Sequence, residues 1–311
     1  MNKISIIGAG MTGATATHWL AERELADLVL VDIVEGMPQG KALDLLQAMP
    51  IIAKDVNVVG SNDYAATKGS DIIIITAGLP RKPGMSRDDL LKTNAEIVGK
   101  AATETLKYSP DAIYIVLTNP LDTMAYLTMK MTGLPRERVI GQAGILDSAR
   151  MRAFVALETG VSVENIDCYV LGGHGDEMVP LTRHSNIAGI PLRDYLPADK
   201  LEAIVNRTRK GGGEIVNLLK TGSAFYAPSA ACVQMAEAIL KNKNLIVPCA
   251  AYMNGEYGLN DMYFGVPVML GRNGMEKIIE YKFDDEEKAM FEKSAASVKE
   301  THEALKSLVK L

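Results

Sequence analysis

The sequence contains little cysteine, and its cysteines are not spaced for cross-linking or metal binding. There are three, Cys168, Cys232 and Cys249; the number is odd, they lie far apart along the chain, and none forms a CxxC pair. This spacing argues against a disulfide framework and against a zinc site. We therefore predict packed, reduced thiols, a cytoplasmic location and a reaction that requires no metal.

Long apolar runs and a large charge excess are also missing. No apolar run approaches the ~20 residues of a membrane-spanning helix, and the opening MNKISIIGAG lacks the features of a signal peptide. The 33 basic and 38 acidic residues give a formal net charge of −5, with no basic tail. We therefore expect neither a membrane nor a nucleic acid as partner. With 311 residues and 48% hydrophobic content, the chain is large enough for two fused lobes.

The first half of the sequence alternates short β-branched runs with helical stretches. The predicted strands are 4–7, 28–31, 56–59, 71–76 and 112–117; the predicted helices are 13–26, 39–49 and 88–108. This alternation is typical of parallel βαβ units, and the nearly continuous apolar runs suit strands that are covered on both faces. We predict an α/β fold in which residues 1–144 form a Rossmann-type, doubly wound parallel sheet.

From about residue 145 the pattern changes. Helices are predicted over 147–159 and 197–219, and strands over 166–171, 244–252 and 267–270. The chain ends in an amphipathic helix whose apolar stripe runs from Phe291 to Val309 and includes His302. Residues 145–311 are therefore predicted to form a mixed α+β domain that carries substrate binding and catalysis.

A glycine-rich turn after the first strand indicates a dinucleotide site. It consists of Gly8, Ala9, Gly10, Met11, Thr12 and Gly13. Such glycines permit a tight turn, and they let the backbone approach a pyrophosphate at a helix N-terminus. Asp32 ends the next strand, 32 − 13 = 19 residues beyond the last glycine, close to the spacing of the acid that binds the adenosine ribose. Its charge would repel a 2′-phosphate, so we predict NAD rather than NADP.

His174 is the candidate for proton transfer, because glycines flank it in Gly172–Asp176 and leave the imidazole open to a ligand. Asp147 and Arg150 lie three residues apart at a helix start. They could form a plain helical ion pair. Alternatively, Asp147 orients His174 while Arg150 binds a substrate carboxylate. Spacing alone favours neither interpretation.

Two further segments follow buried strands, at the sheet edge where such folds bind ligands. Residues 79–87 contain three cations, among them Arg81 and Arg87, and would form either a solvated loop or a lid that closes over the site. Residues 118–122 (TNPLD) end another strand, so Asn119 can point into the same crevice.

In order along the chain, GAGMTG, VLVD, AGLPRKPGMSRDDLL, TNPLD, ILDSAR and GGHGDEMVP resemble the lactate/malate dehydrogenase family. The resemblance covers nearly the whole chain. It implies that the glycine motif holds the pyrophosphate and Asp32 the ribose, with the residues beside the nicotinamide being Asn94, Leu117, Thr118 and Asn119. It also implies that His174 accepts the proton, with Asp147 as its partner. The expected substrate ligands are Arg81, Arg87, Asn119 and Arg150, and Ser223 and Ala224 are possible pocket lining.

The resemblance further implies NAD-dependent oxidation of malate to oxaloacetate in a homo-oligomer, a dimer or a tetramer. Malate enzymes of the family typically carry Arg, and lactate enzymes Gln, at the position of Arg81. A second substrate carboxylate needs such a counter-charge in a closed pocket, whereas a buried guanidinium beside a methyl group would be costly. Two alternatives stay open: a dehydrogenase for lactate or another 2-hydroxy acid, and an NAD-binding module without catalysis.

Overall fold

The computed structural model describes residues 2–80 and 87–309, and of Arg87 only the backbone. Arg81 therefore lies outside the described residues. The described part of the first half contains six strands and four helices. The strands are β1 (Lys3–Ile7), β2 (Asp27–Val31), β3 (Val58–Ser61), β4 (Ile72–Ile75), β5 (Ile113–Val116) and β6 (Val139–Gly141). The helices are α1 (Met11–Glu22), α2 (Met37–Ala48), α3 (Arg87–Tyr108) and α4 (Leu121–Thr132).

The second half carries longer helices and an antiparallel hairpin. Its helices are α5 (Gly144–Thr159), α6 (Leu192–Tyr195), α7 (Ala198–Leu219), α8 (Tyr226–Leu240) and α9 (Asp285–Leu308). Its short strands are β7 (Ile166–Asp167), β8 (Val170–Leu171), β9 (Val179–Pro180), β10 (Asn186–Ile187) and β11 (Ile190–Pro191), and its long ones are β12 (Leu245–Asn254), β13 (Asn260–Gly271) and β14 (Gly274–Ile278).

The predicted Rossmann-type sheet is confirmed. Its parallel strands follow the order β3-β2-β1-β4-β5-β6, and β12, β13 and β14 continue the same sheet in antiparallel orientation beyond β6. The strand order reverses between β1 and β4, which is where a doubly wound sheet opens a crevice for a ligand. Strands β1, β4 and β5 are almost wholly buried, as expected when helices cover both faces.

The structure differs from the prediction in both halves of the chain. The run 166–171 is not one strand, because β7 pairs with β10 in a three-stranded sheet while β8 pairs with β9 in a separate ribbon. Helices α4 and α8 had no counterpart among the predicted elements; both are buried along much of their length, so the polar face that reveals an amphipathic helix is reduced. None of the described helices could span a membrane.

The C-terminal helix begins and packs as its sequence suggests. Asp284 accepts a hydrogen bond from the backbone N–H of Glu287, and the Glu287 side chain accepts one in return, which completes a capping box. Its buried stripe includes His302, whose Nδ1 lies 2.9 Å from the carbonyl oxygen of Val298. The N–H of Tyr263 points at Nε2 over 3.4 Å. Burial lowers the pKa of His302 to about 4.

This histidine should make stability depend on pH. The pKa of a histidine in the unfolded chain is about 6.5. Between about pH 4 and 6.5 the unfolded chain therefore binds a proton that the folded chain does not bind. The free energy of unfolding must therefore fall as the pH drops through that window. From pH 7 to pH 4 we expect the unchanged protein to lose about 3 kcal/mol more than His302→Gln, measured by urea denaturation. His18→Gln, at an exposed position of α1, is the matched control; equal losses in all three proteins would contradict this account.

Candidate active site

The glycine motif forms a backbone cradle at the carboxyl end of β1. Gly8 has φ +108°, and a Cβ atom on Gly13 would lie 1.8 Å from the Gly8 carbonyl oxygen, so neither position can carry a side chain without moving the backbone. A Cβ on Gly10 would instead meet open space. Since Gly10 precedes α1 and has no side chain to cap it, the first N–H groups of the helix are open to an anion.

Asp32 lies next to this cradle. Its two carboxylate oxygens accept hydrogen bonds from the N–H groups of Ala9 (2.7 Å) and Val34 (2.9 Å). Lys41 donates to the Ala9 carbonyl oxygen at 2.6 Å, which places a cation here that sequence patterning did not single out. The open glycine turn, the uncapped helix start and the partly exposed carboxylate fit the pyrophosphate and adenosine ribose of a dinucleotide.

Helix α5 and the loop after β8 bring the proposed catalytic groups together. His174 Nδ1 lies 2.7 Å from Asp147 Oδ2, while Arg150 Nη1 donates to Asp147 Oδ1 at 2.9 Å. One carboxylate therefore serves the helical ion pair and the histidine at the same time. Arg150 Nε is buried and has no partner among the described residues, so the guanidinium keeps a donor for a ligand.

The charge of Asp147 governs the histidine. Burial alone would lower the pKa of His174, but the negative charge and the hydrogen bond of Asp147 outweigh it and raise that pKa above its usual value, against the opposing charge of Arg150. The imidazole side chain is only 14% exposed. Because Nδ1 faces Asp147, Nε2 is the ring nitrogen left for proton exchange with a ligand.

A cavity of about 310 Å³ connects the two halves of the chain at this point. The expected site residues that line it are Thr12, Leu117, Asn119, Arg150, His174, Ser223 and Ala224. A second cavity, of about 630 Å³, shares Asn119 and His174 with the first. The structure therefore places candidates from the glycine motif, the TNPLD segment and the GGHGD loop around one space.

Other predicted residues have structural contacts of their own. Asn94 is buried, and its side-chain amide is bonded to the main chain of Leu79 and to the carbonyl oxygen of Asn119. Thr118 donates to the Ala77 carbonyl oxygen at 2.7 Å. These bonds tie the ends of β4 and β5 to α3. Arg87 begins α3, but its side chain lies outside the described part of the structure. The whole of Arg81 lies outside it as well.

The cavity also exposes residues that sequence patterning missed. Gln142, Arg209, Gly212 and Val216 line it. Gln142 is buried, and its Nε2 has no partner among the described residues. A Cβ atom on Gly211 would lie 3.1 Å from Arg150 Cδ, so the mid-helical glycines of α7 leave room for that arginine. Three consecutive glycines destabilise a helix. Their presence inside the predicted helix 197–219 was the sequence signal that could have identified this part of the cavity wall.

Comparisons with known proteins agree along the chain. Residues 2–141 match the model of the lactate/malate dehydrogenase NAD binding domain, and residues 145–309 match that of the family's alpha/beta C-terminal domain. A malate dehydrogenase of Roseiflexus sp. (strain RS-1) is 59% identical over 306 residues, which cover 98% of this chain and 99% of the relative.

Solved structures give the same result. The malate dehydrogenase of Cryptosporidium parvum superposes with a TM-score of 0.96 at 46% identity, covering 98% of this chain and 99% of that one. The lactate dehydrogenase of the same organism, solved with lactic acid and β-nicotinamide adenine dinucleotide, gives a TM-score of 0.95 at 41% identity and covers 98% of both chains.

Replacing Asp147 tests how the site controls the proton. Asp147→Asn removes the charge that raises the pKa of His174, so the protonated imidazole should persist only to lower pH. If His174 supplies the proton for reduction of a 2-oxo acid, the alkaline limb of kcat/KM for that direction should move to lower pH. We expect kcat itself to fall by roughly 10²–10⁴-fold. The measurement is a pH–rate profile, with NADH affinity as the control. An unshifted alkaline limb would show that Asp147 does not control the pKa of His174.

Proposed function

Because the chain belongs to the lactate/malate dehydrogenase family, we propose that it catalyses the reversible NAD-dependent oxidation of (S)-malate to oxaloacetate. The observation that carries this proposal is the joining of His174 and Arg150 through Asp147 on a cavity shared with the dinucleotide cradle. A binding module without catalysis would need only the cradle. The high identity to relatives named malate dehydrogenase supports this choice of substrate.

The proposed mechanism assigns each step to residues of this chain. Nicotinamide, when bound, supplies the hydride acceptor or donor. His174 Nε2 takes the hydroxyl proton of malate during oxidation and returns it to oxaloacetate during reduction. Asp147 holds the ring through Nδ1 and stabilises its protonated form. Arg150 binds the carboxylate next to the reacting carbon, with the free donors of its guanidinium. Asn119, on the wall of both cavities, hydrogen-bonds the substrate.

The remaining assignments rest on the family resemblance. We propose that Arg87 polarises the reacting C–O bond and that Arg81 binds the distal carboxylate. For the cofactor we propose that the motif Gly8–Gly13 holds the pyrophosphate and Asp32 the adenosine ribose. Asn94, Leu117 and Thr118 would shape the nicotinamide side. The division of the chain at residues 144 and 145 and a cytoplasmic location belong to the same proposal; all three cysteines are buried free thiols, as suits a reducing compartment.

Substrate choice gives the sharpest test, and it distinguishes malate from lactate or another 2-hydroxy acid. Arg81→Gln removes a cation and keeps a similar reach. Breaking a desolvated charge pair costs about 3–5 kcal/mol, so the ratio of kcat/KM for oxaloacetate over pyruvate should fall by roughly 10²–10³-fold or more, mainly through lost oxaloacetate activity.

The assay follows NADH oxidation with each keto acid, and Lys82→Gln, one residue away, is the matched control. If the unchanged protein prefers pyruvate, the malate assignment is wrong. If it prefers oxaloacetate but Arg81→Gln leaves the ratio unchanged, another residue recognises the distal carboxylate.

We also propose that the protein is a homo-oligomer. Helix α2 and the turn after it present a run of exposed apolar side chains: Leu43, Leu46, Ile51 and Ile52. Leu43 and Leu46 lie three residues apart and share a face, and Ile51 is 85% exposed. A second subunit would remove this apolar surface from water.

Leu43→Glu should therefore shift the protein to a smaller species in sedimentation velocity, while Ile190→Glu, at another exposed apolar site, should not. The same sedimentation pattern for the unchanged protein and both variants would exclude this surface as the interface.

A further inference from the structure

The loop that carries His174 is held through its main chain by two buried acceptors from distant parts of the sequence. The N–H of His174 donates to Asp122 Oδ2 at 2.9 Å, and the N–H of Gly173 donates to Ser294 Oγ at 3.0 Å. Asp122 lies on α4 and Ser294 on α9. A Cβ atom on Gly173 would lie 2.3 Å from Val298 Cγ2, so the loop packs tightly between these two helices. The glycine before His174 is thus required by packing, whereas the one after it borders open space.

Asp122 is an unusual group to find in this position. Its residue is only 6% exposed, and its Oδ1 is buried with no partner among the described residues. Burial raises the pKa of Asp122 to about 6, against the hydrogen bond from the His174 N–H and the charge of His174. An amide would serve equally well as acceptor without the cost of burying a charge. A carboxylate here therefore adds something that the hydrogen bond alone does not need.

We infer that Asp122 is a positioning residue for proton transfer, which fixes His174 through its backbone N–H and places a second negative charge beside the imidazole. Asp147 bonds the ring at Nδ1, whereas Asp122 bonds the main chain, so the two carboxylates act on the same residue from different elements. The charge of Asp122 favours the protonated imidazole, as that of Asp147 does. This inference rests on the proposed role of His174 in the reaction.

Other charges around the imidazole belong to the same balance. Arg150, on α5, lowers the pKa of His174 and so opposes the effect of the two carboxylates. The remaining described charged side chains on the walls of the two cavities that His174 lines come from α3, the GGHGD loop, α7 and α9: Asp88, Asp176, Glu177, Arg209 and Glu300. Among these groups Asp122 combines near-complete burial with a direct bond to the loop. Its charge is therefore less screened than those at the cavity rim.

Two variants separate the charge of Asp122 from its geometry. Asp122→Asn keeps a carbonyl oxygen of the same reach and removes the charge, so the pKa of His174 should fall and the alkaline limb of oxaloacetate reduction should move to lower pH with it. Its kcat at the new optimum should fall less than that of Ser294→Ala, since the acceptor is retained. Ser294→Ala removes the acceptor on α9 that holds the N–H of Gly173, without changing any charge. It should lower kcat by about tenfold, the loss of one net hydrogen bond, and leave the pH limb in place.

The pKa of His174 is also read without turnover, from the imidazole resonance in an NMR titration, with His174→Asn used to assign the signal. If the unchanged protein does not reduce oxaloacetate, the proposed function fails while this titration still tests Asp122. An unshifted His174 titration in a folded Asp122→Asn protein would overturn the inference.

If Asp122→Asn does not fold, Asp122→Glu replaces it: the charge is kept and the reach is changed, so kcat should fall about tenfold with the His174 titration nearly unchanged. Unchanged kcat in that variant would contradict the positioning role.

Discussion

The buried carboxylate of Asp147 is the constraint on which the site depends. A charge in that position is unfavourable unless it is fully paired, and both of its oxygens are used, one by Arg150 and the other by His174. The pairing requires the start of α5 to face the loop after β8. That arrangement is fixed nearby, because Ser148 Oγ accepts the N–H of Val170 at 2.9 Å and Gly172 donates to the Gly265 carbonyl oxygen at 2.8 Å. These hydrogen bonds fix the positions of the helix, the loop and the hairpin relative to one another.

The cofactor cradle is tied to the same framework. Ser229 on α8 donates to the carbonyl oxygen of Thr12 at 2.7 Å, and α8 packs against α1. Strand β12 joins β6 through the pairing of Ala250 with Gly141, so the second half of the chain continues the sheet that the first half begins. A dinucleotide in the cradle and a substrate beside His174 would therefore meet in a fixed relation, which is what hydride transfer requires.

Two arginines bring positive charge to the cavity, with Asp176 on the same wall. Arg150 shares its carboxylate with His174 and keeps an unpaired buried Nε. Arg209 reaches the same wall, with hydrogen bonds to the Met178 carbonyl oxygen and to the sulfur of Met290 but no ion pair with a described carboxylate. The raised pKa of His174 adds to this charge whenever the ring is protonated.

Local patterns predicted the parallel strands of the first half and the family. The glycine turn, with Asp32 at the spacing of a dinucleotide site, predicted the cradle. The ordered motifs identified the family and its NAD-binding domain, and the family match confirms both. His174 stood out because glycines flank it. The residues alone decided no pairing across a long separation, and the pairing of Asp147 with His174 was expected only from the family resemblance. The use of Asp147 by both Arg150 and His174 depends on a contact across 27 residues, the bond from His174 to Asp122 spans 52, and that from Gly173 to Ser294 spans 121. Periodicity describes only neighbours along a helix or strand, so these contacts, and with them the second carboxylate beside the histidine, were decided by how α4, α5 and α9 pack around one loop.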